Sequence, residues 1–302
     1  MNQIIRIKNI TEVHDLYGLE KPKHPLISVL PIDERLTNFD YGDSKYTFDF
    51  FQISLKEGIK GTLTYGRNSY DFREGVMTFI KPNQVIGVGD REDYQGGKGW
   101  TLLFHPDLIR RSELGHGIAQ YSFFEYETNE ALHLSHSEKV ALGELVQKIE
   151  NEYQHNIDKY SQEIIIANID MILKYCKRYY DRQFYTRTNL NKALVSKFEK
   201  IMREYYQSGK VLAHGILSVK YCAHALNMSP NYFGDLIKLE TGRSAKDHIQ
   251  HFVIDQAKTK LVSTSETVSE IAYGLGFEYP QGLNKLFKAK TGMSPSEYRN
   301  LN

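Results

Sequence analysis

Residues 219–244 read VKYCAHALNMSPNYFGDLIKLETGRS, and residues 268–294 repeat the pattern as VSEIAYGLGFEYPQGLNKLFKAKTGMS. In the first part of the pattern, apolar and small residues coincide at an offset of 49, which aligns Ala223 with Ala272. In the second part the offset is 50, so one residue is inserted between the two matched blocks. The chain therefore contains two copies of one structural unit.

Each copy predicts two short helices joined by a tight turn. Ser218 and Thr267 are typical N-cap residues, and Asn227 and Gly276 tolerate the left-handed backbone that a tight turn requires. This is the helix-turn-helix arrangement, in which the second helix enters the major groove of DNA. A single such pattern fits any three-helix core, whereas two copies joined by a predicted helix from 245 to about 262 are far more specific.

The second copy also resembles a known family. Its matching residues are Ser269-Glu270-Ile271-Ala272, Gly276-Phe277, Phe287-Lys288, Gly292-Met293-Ser294-Pro295 and Tyr298-Arg299. At these residues the chain resembles the AraC/XylS family of transcriptional regulators, whose DNA-binding unit consists of two such motifs bridged by one helix. The resemblance implies double-stranded DNA as the partner of this chain, with a homodimer, RNA polymerase and a small-molecule effector as further partners.

Charge is distributed unevenly along the 302 residues, although the net charge is only +1. From Tyr185 onward there are 16 Lys and Arg against 10 Asp and Glu, a net charge of +6. Residues 1–184 carry 22 basic and 27 acidic side chains, a net charge of −5. The basic balance thus coincides with the repeats, as contact with DNA phosphates requires.

Candidate DNA contacts are mainly the positions of each second helix that packing does not use, together with the helix N-termini. Asn and Gln pair with adenine, Lys pairs with guanine or phosphate, and helix N-termini hold phosphates. The predicted contacts are Ser218, Asn231, Tyr232, Gly234, Asp235, Lys238, Thr267, Pro280, Gln281, Asn284, Lys285 and Lys288. Tyr232 is included although the same pattern also places it on the packing face. Lys290 is expected near phosphates as well.

Asp235 departs from the common family pattern, in which an arginine often stands at this place. We therefore favour a role in which Asp235 caps or pairs with a neighbour such as Lys238, three residues along the same helix, over a contact with a base. The second motif is then expected to read more of the DNA sequence, through Gln281 and Asn284.

Residues 1 to about 110 are predicted to form β-structure. Short runs rich in β-branched and aromatic residues are separated by Gly, Pro, Asn and Asp, namely 26–30, 46–55, 61–65, 75–80, 85–88 and 100–104. Such strands suggest a sandwich or jelly-roll barrel, and in the resembled family this region is a cupin-like barrel that often senses a small molecule. The expected fold class is α+β, with an N-terminal cupin-like β-barrel followed by helices and a C-terminal all-α domain of two helix-turn-helix motifs.

An effector pocket in this barrel would be lined by aromatic side chains with a few polar groups. The candidates are Tyr46, Phe48, Phe50 and Tyr65. Simple packing of a barrel core is the alternative for each of them.

Metal and catalytic sites are not expected. His105 is isolated, and the other histidines of the region lack partners at the spacing of metal-binding cupins. Gly96-Gly97-Lys98-Gly99 lacks the spacing of a phosphate loop and is expected to form a hairpin turn. The pattern therefore predicts a protein that is not an enzyme and that needs no cofactor.

From Ser135 the periodicity becomes helical. A capping box of Ser135 and Glu138 starts one predicted helix, and a second runs from about 161 to 183. The resemblance implies that a helix of this region mediates dimerisation, and packing on the barrel is the alternative. We therefore divide the chain into a cupin-like sensing domain (1–134), a helical dimerisation or packing segment (135–186) and an AraC-type DNA-binding domain (187–302). Polar residues 186–191 are expected to form the break before the last domain.

Cys176 and Cys222 lie at apolar positions of predicted helices, which indicates buried, reduced thiols. The sequence shows no basic segment followed by an apolar run at its start and no stretch of about 18 apolar residues. These features favour a cytoplasmic location without a membrane partner.

Two other functions stay open: a cupin-fold ligand-binding protein or enzyme with a helical appendage, and a DNA-bending protein without sequence preference. Salt-dependent retention on DNA would separate the first of these from a regulator.

Overall fold

The computed structural model describes residues 4–33, 36, 44–58, 62–65, 68–71, 75–87, 97–127, 130–154, 157–186 and 188–301, with the backbone alone at 62–65, 68–71, 86–87 and 185–192. The chain forms two compact units, residues 1–183 and 184–302. The first unit combines strands with helices, and the second, over its described residues, consists of helices and their connections. The α+β class and the helical C-terminal domain are thereby confirmed.

The described strands of the first unit form three sheets. They are β1 (Ile4–Ile7), β2 (Ile27–Ile32), β3 (Lys45–Phe48), β4 (Phe51–Glu57), β5 (Thr62–Tyr65), β6 (Asn68–Asp71), β7 (Val76–Ile80), β8 (Val85–Gly87), β9 (Lys98–Phe104) and β10 (Leu132–His133). The sheets have the orders β1-β3-β8, β10-β7-β4-β9-β2 and β5-β6. The five-stranded sheet is antiparallel, and β1 runs parallel to β3. These strands do not close into a barrel, so the cupin-like barrel stays a prediction.

One hydrophobic cluster joins the two larger sheets. Tyr46 and Phe48 of β3 share this cluster with Leu30 of β2 and Leu103 of β9. A helix that the sequence did not predict, α1 (Ile10–Leu16), packs into the same cluster. The two sheets therefore enclose a common core.

The predicted strand 46–55 is two strands in the structure, β3 and β4, and the chain bends between them at Asp49 and Phe50. The Asp49 carboxylate accepts hydrogen bonds from Arg6 at 2.8 and 2.9 Å, and Phe50 is fully buried. The expectation of one strand was wrong because this aromatic run serves two different sheets.

The other face of the five-stranded sheet is covered by helices. They are α2 (Pro106–Ile109), α3 (Glu113–Gly117), α4 (His136–Gln154) and α5 (Ser161–Thr186), with 3₁₀ turns at Ile118–Gln120 and Ser122–Glu125. The Phe79 ring of β7 lies 4.5 Å from that of Phe123, centroid to centroid, and Cys176 Sγ of α5 lies 3.9 Å from Met77 Sδ. Both cysteines are free and buried, as predicted.

The second unit contains both repeats. Its helices are α6 (Thr188–Gln207), α7 (Lys210–His214), α8 (Val219–Ala225), α9 (Pro230–Thr241), α10 (Ala245–Ser263), α11 (Val268–Gly274), α12 (Pro280–Thr291) and α13 (Pro295–Leu301). The first motif is α8 and α9, the second is α11 and α12, and α10 is the bridging helix. All three of these predictions from the sequence are confirmed.

The polar residues 186–191, expected to form the break before the last domain, are mostly helical, and the domain division stays a prediction. Helix α5 includes Thr186, and α6 already begins at Thr188. Threonine and asparagine are unfavourable in helix interiors because their side chains compete for backbone hydrogen bonds, but the first turn of a helix has free N–H groups that tolerate them. The polar composition of this segment therefore gave no indication that α6 begins at Thr188.

Candidate nucleic-acid interface

The turns of the two motifs form equivalent backbone hydrogen bonds. In the first motif the N–H of Met228 donates to the carbonyl of Ala223 at 2.9 Å, and in the second the N–H of Phe277 donates to that of Ala272 at 3.0 Å. Both alanines are fully buried, because each lies where the two helices of its motif cross. The repeat in the sequence is therefore a repeat of structure.

The residues at the two turns differ in their surroundings. Asn227 (φ 56°) and Gly276 (φ 86°) both have the left-handed backbone. A Cβ atom added to Gly276 would lie 2.7 Å from the carbonyl carbon of Gly215 and 2.8 Å from the backbone nitrogen of Ile216. The second turn thus packs directly against the segment that enters the first motif, and only glycine fits there.

The first helix of each motif is capped by the residue that the sequence predicted. The Ser218 hydroxyl accepts a hydrogen bond from the N–H of Tyr221 at 3.1 Å, and the Thr267 hydroxyl accepts one from the N–H of Glu270 at 3.2 Å. The Glu270 carboxylate accepts one in return from the N–H of Thr267 at 2.6 Å. This capping box lowers the pKa of Glu270 because the bonds favour the ionised carboxylate.

The two recognition helices, α9 and α12, begin differently. Ser229 is buried, and its hydroxyl accepts a hydrogen bond from the N–H of Tyr232 at 3.2 Å. At the corresponding place before α12 stands Tyr279, which makes no side-chain cap and is 63% exposed. Each helix then starts with a proline, whose missing N–H costs nothing in the first turn.

The recognition helices end with the same local structure. The hydroxyl of Thr241 donates to the carbonyl of Ile237 at 2.7 Å, and that of Thr291 donates to Phe287 at 2.8 Å. A glycine in the left-handed conformation follows each threonine. Residues 50 positions apart therefore also make equivalent contacts at the ends of the two recognition helices.

Most predicted DNA contacts lie at the surface of α9 and α12. The exposed ones are Asn231, Lys238, Gln281, Asn284, Lys285 and Lys288, and the half-buried ones are Gly234, Asp235 and Pro280. Ser218 and Thr267, at the starts of α8 and α11, are exposed as well. The exposed positions of α12 thus combine the amide groups of Gln281 and Asn284 with the ammonium groups of Lys285 and Lys288, three residues apart.

Tyr232 lies in the core instead of on this surface. Its side chain is 3% exposed, and its ring lies 5.0 Å from that of Phe184, centroid to centroid. The inclusion of Tyr232 among the DNA contacts was wrong, because this tyrosine follows the packing periodicity of its helix.

Two basic side chains near the end of the chain, Lys290 and Arg299, make contacts within the second unit. The Lys290 ammonium pairs with the carboxylate of Asp247 on α10. Arg299 of α13 donates to the carbonyls of Leu261 at 3.0 Å and Glu266 at 2.6 Å. Lys290 is therefore engaged in an intradomain ion pair.

A pair that the sequence did not reveal lies at the first motif. The Lys210 ammonium of α7 donates to the hydroxyl of Tyr221 on α8 at 3.1 Å, and it lies 5.8 Å from the centroid of the same ring. The two residues are 11 positions apart in different helices, so no helical periodicity links them.

Three of the predicted ligand-binding residues belong to the core of the first unit. Tyr46, Phe48 and Phe50 are 6%, 7% and 0% exposed and share one hydrophobic cluster. The side chain of Tyr65 lies outside the described residues.

Within the described part of the chain, no group of three or more His, Cys, Asp or Glu is placed to hold a metal ion. No described helix is both long and apolar enough to traverse a bilayer.

A family model described as a helix-turn-helix domain matches residues 222–301. This part of the chain is an AraC-type helix-turn-helix domain. Relatives that match this chain are named as HTH-type transcriptional regulators. One is the uncharacterized HTH-type transcriptional regulator YijO of Escherichia coli, 24% identical over 192 residues, which are 64% of this chain and 64% of that protein.

Other matches are shorter and have about the length of this domain. The uncharacterized HTH-type transcriptional regulator YobQ of Bacillus subtilis is 31% identical over 84 residues, which are 28% of this chain and 35% of that protein. Among solved structures, the C-terminal domain of the response regulator AraT from Geobacillus stearothermophilus is 30% identical, with a TM-score of 0.29. That match covers 34% of this chain and 85% of the solved one.

Proposed function

We propose that this protein is a sequence-specific DNA-binding transcriptional regulator of AraC type. The proposal rests on two equivalent helix-turn-helix motifs whose recognition helices expose amide and ammonium groups. In the second motif these are Gln281, Asn284 and Lys288. Amides can read adenine, and lysines can contact guanine or phosphate. The names of the relatives support a role in transcription.

The two motifs are proposed to bind successive major grooves on one face of DNA. The bridging helix α10 has 19 residues, a length of about 28 Å. With the widths of the flanking helices added, this length approaches the spacing of one DNA turn, roughly 34 Å. Ser218 and Thr267 would then face phosphates. Hydroxyl-radical footprinting should show about two protected turns for each bound copy, and protection of only one turn would reject tandem docking.

Selection from random DNA with the full chain tests the function itself. A regulator should enrich one sequence and bind it about 10³-fold or more tighter than a scrambled duplex at physiological salt. Equal affinity for selected and scrambled DNA would instead support a DNA-bending protein. No salt-dependent binding to any duplex would support the ligand-binding protein or enzyme with a helical appendage.

A homodimer belongs to the same proposal, and α5 offers a surface for it. The side chains of Ile164 and Met171 lie seven residues apart on α5 and are 42% and 45% exposed. Ile157 and Tyr160, which precede the helix, are each 54% exposed. Apolar side chains at this spacing suit pairing with a second helix. Met171→Lys should shift the full chain toward monomer in sedimentation velocity, whereas Gln162→Lys, on another face of α5, should leave its oligomeric state unchanged.

The first unit is proposed to be a cupin-like sensing domain. The hydroxyls of Ser28, Ser54 and Thr101 are buried on the inner face of the five-stranded sheet. Among the described residues, Gln52 Nε2 is buried without a hydrogen-bond partner. A buried donor of this kind supports binding of a small molecule with acceptor oxygens. A panel of hydroxylated and carboxylated metabolites should contain one that raises the Tm of the wild type but not of Gln52→Leu.

Contact with RNA polymerase is the last part of the proposal. It is tested by transcription in vitro from a promoter that carries the selected DNA site. The full chain should change transcript yield from this promoter and not from one with a scrambled site.

A further inference from the structure

The pair formed by Lys210 and Tyr221 places an ordered cation beside the first helix of the first motif. The ammonium donates to the phenol oxygen at 3.1 Å and lies near the ring face. Tyr221 is itself in the first turn of α8, where its N–H is bound by the hydroxyl of Ser218. The Lys210 ammonium is therefore held by the residue whose backbone N–H is capped by Ser218, a predicted phosphate contact.

The partner of Lys210 in this pair is neutral. Within the described part of the chain, no carboxylate lies within salt-bridge distance of its ammonium, in contrast to Lys290 with Asp247 and Lys260 with Glu266. An ammonium has three donors, and one bond to a phenol leaves its full charge and two donors for an anion. The hydrogen bond with Tyr221 also raises the pKa of Lys210, so the group is protonated at neutral pH.

The second motif has a carboxylate where the first motif has the tyrosine of this pair. Tyr221 aligns with Glu270 at the offset of 49, and the Glu270 carboxylate caps its own helix. The exposed Lys220 beside Tyr221 aligns with Ser269. In the recognition helices the charges are the other way round. The first motif has the acidic residue Asp235 on α9, and the second has the basic residue Lys285 at the same place on α12.

We infer that Lys210, held by Tyr221, contacts a DNA phosphate, and that the first motif contributes affinity mainly through this backbone contact while the second contributes more of the sequence reading. The inference rests on the proposed function as a DNA-binding regulator. It adds two residues to the interface, and it assigns different tasks to two motifs of the same architecture. Phosphate contacts fix position on the duplex and carry no sequence information directly.

The test is a salt titration of the full chain on its selected site and on a scrambled duplex, read by fluorescence anisotropy. Lys210→Met should weaken binding to both duplexes by similar factors and reduce the slope of log K against log salt by about one. Lys210→Arg should restore the slope because it keeps the charge. Tyr221→Phe should give a smaller loss on both duplexes, since it removes only the hydroxyl that holds the ammonium.

Lys200→Met is the matched control. Lys200 is 69% exposed on α6 and lies 3.6 Å from Glu204, and α6 packs against the buried face of α9 through the rings of Phe198 and Phe233. Its replacement should leave affinity and slope unchanged. An unchanged slope in Lys210→Met, or a loss confined to the selected site, would overturn the phosphate contact while leaving DNA binding intact. Failure of the wild type to bind either duplex would instead reject the proposed function, and the inference with it.

Discussion

The ammonium of Lys290, in the last turn of α12, pairs with the carboxylate of Asp247, in the first turn of α10. The pair joins the second recognition helix to the helix that bridges the two motifs. Both side chains are half-buried, with exposures of 21% and 29%. Lys290 was expected near phosphates, and its position gives it a structural partner instead.

Asp247→Asn should make the protein less stable at neutral pH and should make its stability less dependent on pH in acid. The hydrogen bond from Lys290 lowers the pKa of Asp247 from its ordinary value of 3.8. A lowered pKa in the folded state stabilises the fold above pH 3.8, and this contribution is lost as the pH falls through the folded-state value. The difference in urea midpoint between wild type and variant should therefore be largest near pH 7 and should shrink below about pH 4.

Asp255→Asn is the control for this experiment because it lies on the same helix. Asp255 is 68% exposed and lies 3.3 Å from Lys258, and exposed pairs of this kind contribute little to stability. An equal loss in both variants would mean that the pair of Lys290 and Asp247 has no special role.

Gly276→Ala should destabilise the protein more than Gly292→Ala. Both glycines have left-handed backbones, with φ of 86° and 83°, but a Cβ atom at Gly292 meets nothing within 4 Å. Gly292→Ala should therefore cost only the conformational term, about 1 kcal/mol. Gly276→Ala should add about 1–3 kcal/mol of overpacking against Gly215 and Ile216. Urea denaturation of the full chain measures both, and equal costs would show that the contact at Gly276 relaxes freely.

Lys288→Ala should weaken binding to all DNA sequences alike and lower the salt slope by about one, because Lys288 is exposed on α12. Lys290→Ala, two residues away, should mainly lower the urea midpoint, because its ammonium is paired with Asp247. The two variants are compared by salt titration and by denaturation. A change of base preference in Lys288→Ala would assign that lysine to a base instead of a phosphate.

Asp235→Ala should tighten binding to selected and scrambled DNA by similar small factors. In the proposed complex, the half-buried Asp235 carboxylate would lie on the side of α9 that faces DNA, where it would repel phosphates. A base contact with cytosine would give a different result, since such pairs contribute about 1–3 kcal/mol of discrimination. Loss of affinity for the selected site alone, recovered by replacing one cytosine, would show that Asp235 reads a base.

The sequence predicted the second unit well because its signals are local. Caps such as Ser218 and Thr267, and turn residues such as Asn227 and Gly276, act within a few positions of the chain. Their agreement in two copies made the helix-turn-helix prediction specific. The contact of Lys210 with Tyr221 could not be predicted, because it depends on how α7 and α8 are placed.

The first unit was harder to predict because its strands pair with strands that are distant in the sequence, as β2 does with β9. The aromatic residues from Tyr46 to Phe51 fit one long strand by composition, yet the bend at Asp49 divides them between two sheets. The carboxylate of Asp49 is held by Arg6, 43 positions away. Tyr232 is a different case, because the periodicity of α9 already placed it on the packing face, where its ring lies against that of Phe184.

The close approach of Gly276 to Gly215 has a consequence for the DNA that the protein can recognise. Since this backbone contact ties the turn of one motif to the entry of the other, neither motif can rotate independently to follow its target. One extra base pair between the two halves of a binding site turns them relative to each other by about 34°, since B-DNA has about 10.5 base pairs per turn. The spacing inside the operator is therefore expected to be invariant, even at positions where the identity of the base is free to vary.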